Sequence, residues 1–346
     1  MRILVTGDKG YIGAVIVPML LKQGHTVCGF DADWFEDSSF VELLARIPGK
    51  KKDLRDVEAS DVKGFDAIIH LAALSNDPLG DLNPSLTAEI NHAASVRLAK
   101  LAKDAGVQRF LFSSSCSTYG AAGGDALLNE EAPLRPVTPY GSSKVRVEED
   151  VAKLADSHFS PVFLRNATTY GVSPRLRFDL VLNNLVAWAF TTGRILIKSD
   201  GTPWRPIVHI EDIGRALIAM LNAPREKVHC QAFNVGRTDE NYQIRELAEI
   251  VNRTVPGCRV EYAQDGGPDR RCYRVDFSKL ARVLPECKLQ WTAREGANEL
   301  YQAIQEVGLQ LDDFEGPRYR RISHIQRLMN DGRMDSSLRW LEKVAQ

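Results

Sequence analysis

The chain lacks any apolar run near the ~20 residues that a membrane-spanning helix needs. Its opening, Met1-Arg-Ile-Leu-Val-Thr-Gly7, has too short an apolar core for a signal peptide. Neither sign of charge is in excess: 44 Lys+Arg against 45 Asp+Glu give a formal net charge of -1. That balance offers no electrostatic footing for nucleic acid or an anionic membrane, although a local basic cluster can still hold a small anion. Cysteine is sparse. Cys28, Cys116, Cys230, Cys258, Cys272 and Cys287 form no CxxC pair and no Cys/His cluster, which speaks against zinc and for reduced thiols in a cytoplasmic protein. No internal repeat or low-complexity segment interrupts the sequence. What is present is an ordinary globular composition, 44% hydrophobic over 346 residues, long enough for one large or two modest domains.

The N-terminus reads as strand, glycine turn and helix. Arg2–Thr6 is a short apolar run, followed by Gly7-Asp-Lys-Gly10-Tyr-Ile-Gly13 and the apolar stretch 14–21. Glycine at 7 allows a tight turn, at 10 a close approach of a pyrophosphate to the backbone, and at 13 close packing of helix on strand. The helix N-terminus adds free N–H groups and a favourable dipole. Two residues sit awkwardly here. Asp8 repels a pyrophosphate unless it points away, and Pro18 should kink the helix or cost about 3 kcal/mol.

A second strand over 26–30 ends at Asp31, an acid placed to bind a ribose 2′-hydroxyl and to repel a 2′-phosphate. NAD is therefore expected over NADP, with Asp33 as the competing acid. At the next strand end, Asp53 and Leu54 are placed to flank an adenine. Residues 67–73 form a buried strand ending in small residues over which a dinucleotide can pass; His70 inside it reads as a satisfied core histidine. A helical stretch over 86–105 contains Asn91, and a strand over 109–112 runs into a cluster of serines at 113–115. This alternation implies a parallel, doubly wound sheet, whose ligands bind at the carboxyl ends of its strands.

Tyr140-Gly-Ser-Ser-Lys144, preceded by Pro139, is the stretch around which these pieces organise. A helix starting there puts Tyr140 and Lys144 on one face, their Cβ atoms roughly 5–6 Å apart, and an ammonium so placed favours a phenolate. Moving a phenol from a pKa of about 10 to about 7 takes ~4 kcal/mol. One lysine at a wet surface cannot supply that; a lysine and a cationic cofactor in a drier cleft can. Alone, the pair reads as an exposed surface motif. Convergence with the glycine turn and the serine cluster on one sheet edge weakens that reading.

Taken together, TGDKGYIG at 6–13, DLRD at 53–56, HLAA at 70–73, SSSCSTYG at 113–120 and PYGSSK at 139–144 resemble the extended short-chain dehydrogenase/reductase family, the NAD-dependent nucleotide-sugar epimerases and dehydratases. LRNATTYG at 164–171, DGTPWRPIVHIEDI at 200–213 and VDFSKLARVL at 275–284 are similar to its substrate-domain landmarks, and the likeness runs in order to about residue 300. The resemblance implies an α/β fold: a Rossmann-type doubly wound parallel sheet over 1–173 and a smaller mixed substrate domain over 174–346, with 207–232 returning to the first. It implies NAD held by Gly7, Gly10, Tyr11, Ile12, Gly13, Asp31, Asp53, Leu54, Leu71, Ala72, Ala73, Tyr140 and Lys144. Tyr140 then acts as the acid/base on a sugar hydroxyl, Lys144 lowers its pKa and holds the nicotinamide ribose, Ser115 shares the proton relay, and Asn91 is structural. A nucleotide-diphosphate sugar falls to Ser115, Cys116, Thr168, Asn184, Leu185, Arg205 and Arg271, the arginines because a guanidinium donates two parallel bonds to a phosphate. Arg270 competes with Arg271, while Arg175 and Arg177 read as solvated.

Departures from the family narrow the reaction. Where its 4,6-dehydratases carry an Asp-Glu pair after the catalytic hydroxyl, this chain has Cys116 and Ser117; the glutamate of the sugar-acid decarboxylases is missing too. Without an acid by the sugar, elimination lacks its proton donor. An epimerase, which oxidises the sugar transiently, inverts a centre and returns the hydride, is therefore preferred to a dehydratase or decarboxylase. A reductase or dehydrogenase on the same substrates is the alternative, and a non-catalytic dinucleotide sensor has no need of the relay. Cys116 is a rival acid/base one position out of register, and Thr168 stands where the family often has an asparagine. A homodimer is expected through the helices at 86–105 and 141–156, with Val147, Val151 and Leu154 in the interface. Beyond the likeness, Ile322, Ile325, Leu328 and Met329 have helical spacing. The tail thus reads as a docked helix whose basic face, Arg318, Arg320, Arg321 and Arg327, is placed to reach a phosphate or a partner; packing is the preferred reading.

Overall fold

Ile3, Leu4 and Val5 are all buried, so the strand that carries them is covered on both faces, as the interior of a parallel sheet requires. The computed structural model describes residues 1–43, 45–75, 83–120, 126–197, 199–263 and 272–341. In it, seven parallel strands run in the order Gln231–Val235, Ser160–Asn166, Arg109–Ser115, Ala67–His70, Arg2–Thr6, Thr26–Asp31 and Gly49–Lys51. The direction of winding reverses beside the first strand, which opens a crevice at the carboxyl ends. Successive side chains point to opposite faces. Ile3 and Val5 join Ile69 and Leu111 in one core with residues of helices Gly13–Lys22 and Ile210–Asn222. Leu4 joins Ile68, Phe110 and Phe112 in the other, with residues of helices Ala94–Asp104 and Pro139–Ala152. The first helix runs through Pro18 without interruption.

A smaller unit follows. Thr168–Tyr170 pairs in parallel with Trp204–His209, which pairs antiparallel with Asn241–Gln243. Helices Val181–Thr192, Ile244–Thr254 and Ala293–Val307 enclose a separate core containing Leu182, Val186, Leu247 and Leu300. Between these elements the chain goes back: helix Ile210–Asn222 packs on the large sheet and Gln231–Val235 becomes its seventh strand.

Two helices bring residues to the crevice. Pro139–Ala152 starts with proline in its first turn, and Thr138 Oγ1 accepts from Gly141 N at 3.1 Å, a favourable helix start. Its Val147 and Val151 are wholly enclosed, which corrects the expectation that they serve a subunit interface: this apolar stripe faces the protein's own sheet. The stretch over 86–105 is not one α-helix. It opens as Pro84–Thr87, widens into a π-helical turn over Ala88–Ala93 and resumes as Ala94–Asp104. Asn91 lies in the wide turn, where its amide exchanges bonds of 2.7 and 3.0 Å with the backbone of Leu74.

The tail docks across the loop that follows the second strand. Helix Arg321–Asn330 buries Ile325 and Leu328 in a small core with Leu74, Leu86 and Ile90. Among the described residues no helix is long and apolar enough to cross a membrane.

Candidate active site

A cleft of about 770 Å³ opens along the carboxyl ends of the large sheet, between it and the smaller unit. One end is built from the glycine turn. Gly7 has φ +75°, and a Cβ on it would lie 2.8 Å from Ala72 N; one on Gly13 would lie 2.1 Å from Gly7 O. Side chains are excluded at both positions. The helix beginning at Gly13 has no side-chain cap; Ala14 N and Val15 N are taken by Gly10 O and Ile12 O at 3.0 Å each, and the dipole at this helix start still favours an anion. Asp8 does not line the cleft. Its carboxylate turns back onto the second strand, where a Cβ on Gly29 would lie 2.2 Å from Oδ2. Burial, with Asp31 nearby, pushes its pKa up to about 7.

Asp31 lines the cleft, with its oxygens accepting from Lys9 N (3.2 Å) and Asp33 N (2.7 Å). Asp33, at φ 54°, is instead taken by Lys9 Nζ at 2.5 Å. Asp53 and Leu54 line the same end, Asp53 being held by Arg55 at 3.0 and 2.7 Å. Leu71, Ala72 and Ala73 continue the lining past the fourth strand. Gly10, Ile12 and Tyr11 are there as well, but the Tyr11 hydroxyl donates to Gly171 O at 2.7 Å and accepts from Asn183 at 3.1 Å. It is a strut between the glycine turn and the smaller unit.

The facing wall carries Ser113, Ser115, Tyr140 and Lys144. Strand Arg109–Ser115 extends through the serines, so Ser113 and Ser115 reach the cleft from its end. Lys144 is 4% exposed and donates to Ser113 O at 2.7 Å. Burial pushes its pKa down to about 7, with Glu148 opposing. Its Nζ lies 5.6 Å from the Tyr140 ring centroid. An ammonium on that side of the ring favours the phenolate, although the lowered pKa leaves Lys144 only part of its charge near neutral pH. Ser115 Oγ accepts from Ser117 N at 3.1 Å. Beneath, Glu148 pairs with Arg165 at 2.6 and 3.1 Å and accepts from Ser114 Oγ at 2.5 Å, tying the strand end to the Tyr140 helix. Asn91 adds a bond to Ser143 Oγ at 3.3 Å. His70 is a core residue, between Thr6 Oγ1 at 2.6 Å and Ser95 Oγ at 2.7 Å, and burial pushes its pKa down to about 3.

Thr168, Asn184, Leu185 and Arg205 line the far end of the cleft. Asn184 donates to Phe178 O at 2.8 Å and Arg205 to Trp204 O at 2.8 Å. Cys116 is not there. It is 1% exposed, its thiol donates to Arg165 O at 3.2 Å, and burial raises its pKa. The expectation of a substrate-facing thiol is therefore corrected: the turn after Ser115 aims this side chain into the core. Arg270 and Arg271 lie outside the described residues.

A family model described as the NAD dependent epimerase/dehydratase family matches residues 3–236. The chain belongs to this family. It is 29% identical over 329 residues to UDP-glucose 4-epimerase 4 of Oryza sativa subsp. japonica, a match covering 86% of this chain and 87% of the relative. Among solved structures, MoeE5 in complex with UDP-glucuronic acid and NAD matches with a TM-score of 0.76 at 26% identity, over 88% of this chain and 99% of that one. TunA, described as an NAD dependent NDP-hexosamine 5,6-dehydratase, matches with a TM-score of 0.79 at 24% identity, over 90% and 99% of the two chains, and that likeness bears on fold alone. The cofactor of this epimerase/dehydratase is NAD. The residues fit it: a glycine cradle with no room for a Cβ, an uncapped helix for the diphosphate, and Asp31 for a free ribose 2′-hydroxyl.

The cleft of this epimerase/dehydratase also holds residues that sequence reasoning passed over. Arg175 and Arg177 are 4% and 5% exposed, not solvated. Arg177 lines the cleft, paired with Asp179 at 3.0 and 2.7 Å and donating to Ser75 Oγ at 2.9 Å. The Arg-x-Asp spacing was an available hint. Asn166, whose Oδ1 is buried without a partner among the described residues, and Arg321 line it too; the first lies in the LRNATTYG stretch and the second on the basic face of the tail, but neither pattern says that the side chain reaches this cleft.

Proposed function

We propose that the protein is an NAD-dependent nucleotide-sugar epimerase that acts by transient oxidation of a sugar hydroxyl. The observation that carries this reading is where the cleft's acids lie. Among the described residues that line it, the carboxylates are Asp31, Asp33 and Asp53 by the glycine turn, and Asp179, bound to Arg177. None belongs to the wall of Ser115, Tyr140 and Lys144. Water elimination needs an acid beside the leaving hydroxyl, so this wall suits a reaction in which the one proton handled by the protein is that of the oxidised hydroxyl, the hydride going to NAD and returning.

When bound, NAD supplies the hydride acceptor and, on return, the donor. Tyr140 accepts the proton of the sugar hydroxyl at its phenol oxygen and gives it back. Lys144 stabilises the anionic form of Tyr140 through space, and its link to Ser113 O fixes it against the strand end. Ser115 orients the hydroxyl. Arg205 and Asn184, at the far end, are placed to hold the nucleotide diphosphate by charge and hydrogen bonding. The proposal includes a cytoplasmic homodimer, with its interface on the outward faces of the helices over 84–104 and 139–152 rather than on Val147 or Val151.

Relatives named for UDP-glucose and a structure holding UDP-glucuronic acid make UDP-sugars the first substrates to test. Purified protein incubated with a nucleotide-sugar panel and followed by NMR should yield an epimer without net NADH. Accumulating NADH would make it a dehydrogenase, and a dehydrated keto-sugar product would make it a dehydratase.

A further inference from the structure

Arg321 is a buried guanidinium without a counter-ion among the described residues. It is 6% exposed and lines the cleft. Its Nη2 donates to Arg175 O at 3.1 Å, its plane lies over Phe35 at 3.8 Å, and its Nη1 is buried with no partner among the described residues. The nearby acids are committed elsewhere: Asp179 to Arg177, and Asp31 to two backbone N–H groups. Burial, with Arg177 adding like charge, pushes the pKa of Arg321 down. A charge taken out of water and left unpaired is costly, and an anion in the cleft removes that cost.

Which anion follows from what the guanidinium touches. Arg175, whose carbonyl holds Arg321, donates through Nε to Lys9 O at 3.3 Å, within the glycine turn. Phe35 belongs to the loop after Asp31. The rest of the tail grips the same end of the cleft. His324 bonds Trp34 O at 2.8 Å, Trp340 Nε1 donates to Ala32 O at 2.6 Å, and Arg55, beside Asp53, donates to Ser337 O at 2.8 Å.

We propose that residues 317–341 form a strap over the dinucleotide and that Arg321 anchors it, its guanidinium serving the diphosphate bound at the glycine turn. The strap joins the two segments that flank the adenosine, so the cofactor is enclosed by a part of the chain more than 300 residues from the turn that first binds it. The inference rests on the NAD assignment and not on epimerisation. A sugar nucleotide carries the same diphosphate chemistry at the other end of the cleft, and the test separates the two.

The test is calorimetry of the full chain, stripped of nucleotide, with NAD, adenosine and UDP as separate probes, for wild type, Arg321→Gln and Arg321→Lys. Truncating one partner of a buried charged pair commonly costs 30-fold or more, so Arg321→Gln should weaken NAD by about that factor. Adenosine and UDP should stay within about two-fold. The melting temperature of the unliganded variant should hold or rise, because an unpaired buried charge is gone. Arg321→Lys should fall between the two, and it decides the matter if the glutamine variant does not fold. NAD affinity unchanged in both variants overturns the proposal. So does an equal loss for NAD and adenosine, which means packing, or a loss confined to UDP, which puts the guanidinium on the sugar nucleotide. A wild-type protein that binds no NAD overturns the cofactor assignment itself, and this proposal with it.

Discussion

Replacing Asp8 by Asn should stabilise the unliganded protein at neutral pH and leave it unchanged near pH 4. Asp8 is 9% exposed, and burial and Asp31 raise its pKa from the ordinary 3.8 to about 7. Between those values the folded chain keeps a proton that the unfolded chain has lost. Its contribution to stability is therefore complete below 3.8 and is lost as pH rises through about 7. Each unit of that window is worth about 1.4 kcal/mol, so the whole amounts to ~4 kcal/mol. Asparagine has the same shape against Gly29 and carries no titrating proton. Urea unfolding of both proteins from pH 4 to 8 isolates the term, because groups that do not interact with Asp8 cancel in the difference. That difference should grow by about 1.4 kcal/mol per unit to pH 7 and then level off. A flat difference would refute the claim that the carboxyl is turned inward and protonated.

Tyr140→Phe should lower turnover by ~10²–10⁴-fold while NAD binding by calorimetry stays intact, since one oxygen is lost from the proton relay. Lys144→Met should lower turnover and NAD affinity together; a loss of turnover alone would leave the lysine no part in holding the cofactor. Asp31→Ala should narrow the preference for NAD over NADP, and equal affinities in the unmodified protein would show that the acid does not meet the ribose. Cys116→Ser should leave turnover within about two-fold, the thiol being sealed in the core; a collapse of turnover in a variant that still folds would return the thiol to the reaction.

The parts of the cleft that could be read in advance share one property: each is a short pattern with fixed spacing, at the end of a parallel strand or, for Tyr140 and Lys144, in the first turns of a helix packed on the sheet. The glycine turn, Asp31, the serines and the Tyr140–Lys144 helix are of that kind, and a parallel sheet brings such ends to one edge. What escaped depends on side-chain direction or on distant partners. Asp8 looks hostile to a phosphate until Gly29 is seen to leave it a berth on the second strand. Val147 and Val151 have spacing that suits either a partner or the protein's own sheet, and periodicity does not say which. Cys116 follows Ser115 directly but falls in a tight turn after the strand, so it points into the core. Arg177 is read as a surface residue unless Asp179 and Ser75 are known to receive it. The π-helical turn that carries Asn91 has no marker in composition.

The seventh strand has a consequence for how the protein is made. Ser160–Asn166 is covered on one side by Arg109–Ser115 and on the other by Gln231–Val235. A ribosome adding ~5–20 residues per second needs roughly 4–14 s to go from the first of these edges to its cover. For that interval the nascent sheet shows water a bare, hydrophobic strand edge, the kind that recruits other chains. Dissecting the gene between the two lobes would make the interval permanent. A fragment ending anywhere from about residue 167 to 230 would hold the glycine turn and the Tyr140 helix, and should still be lost to aggregation rather than survive as an isolated cofactor-binding domain.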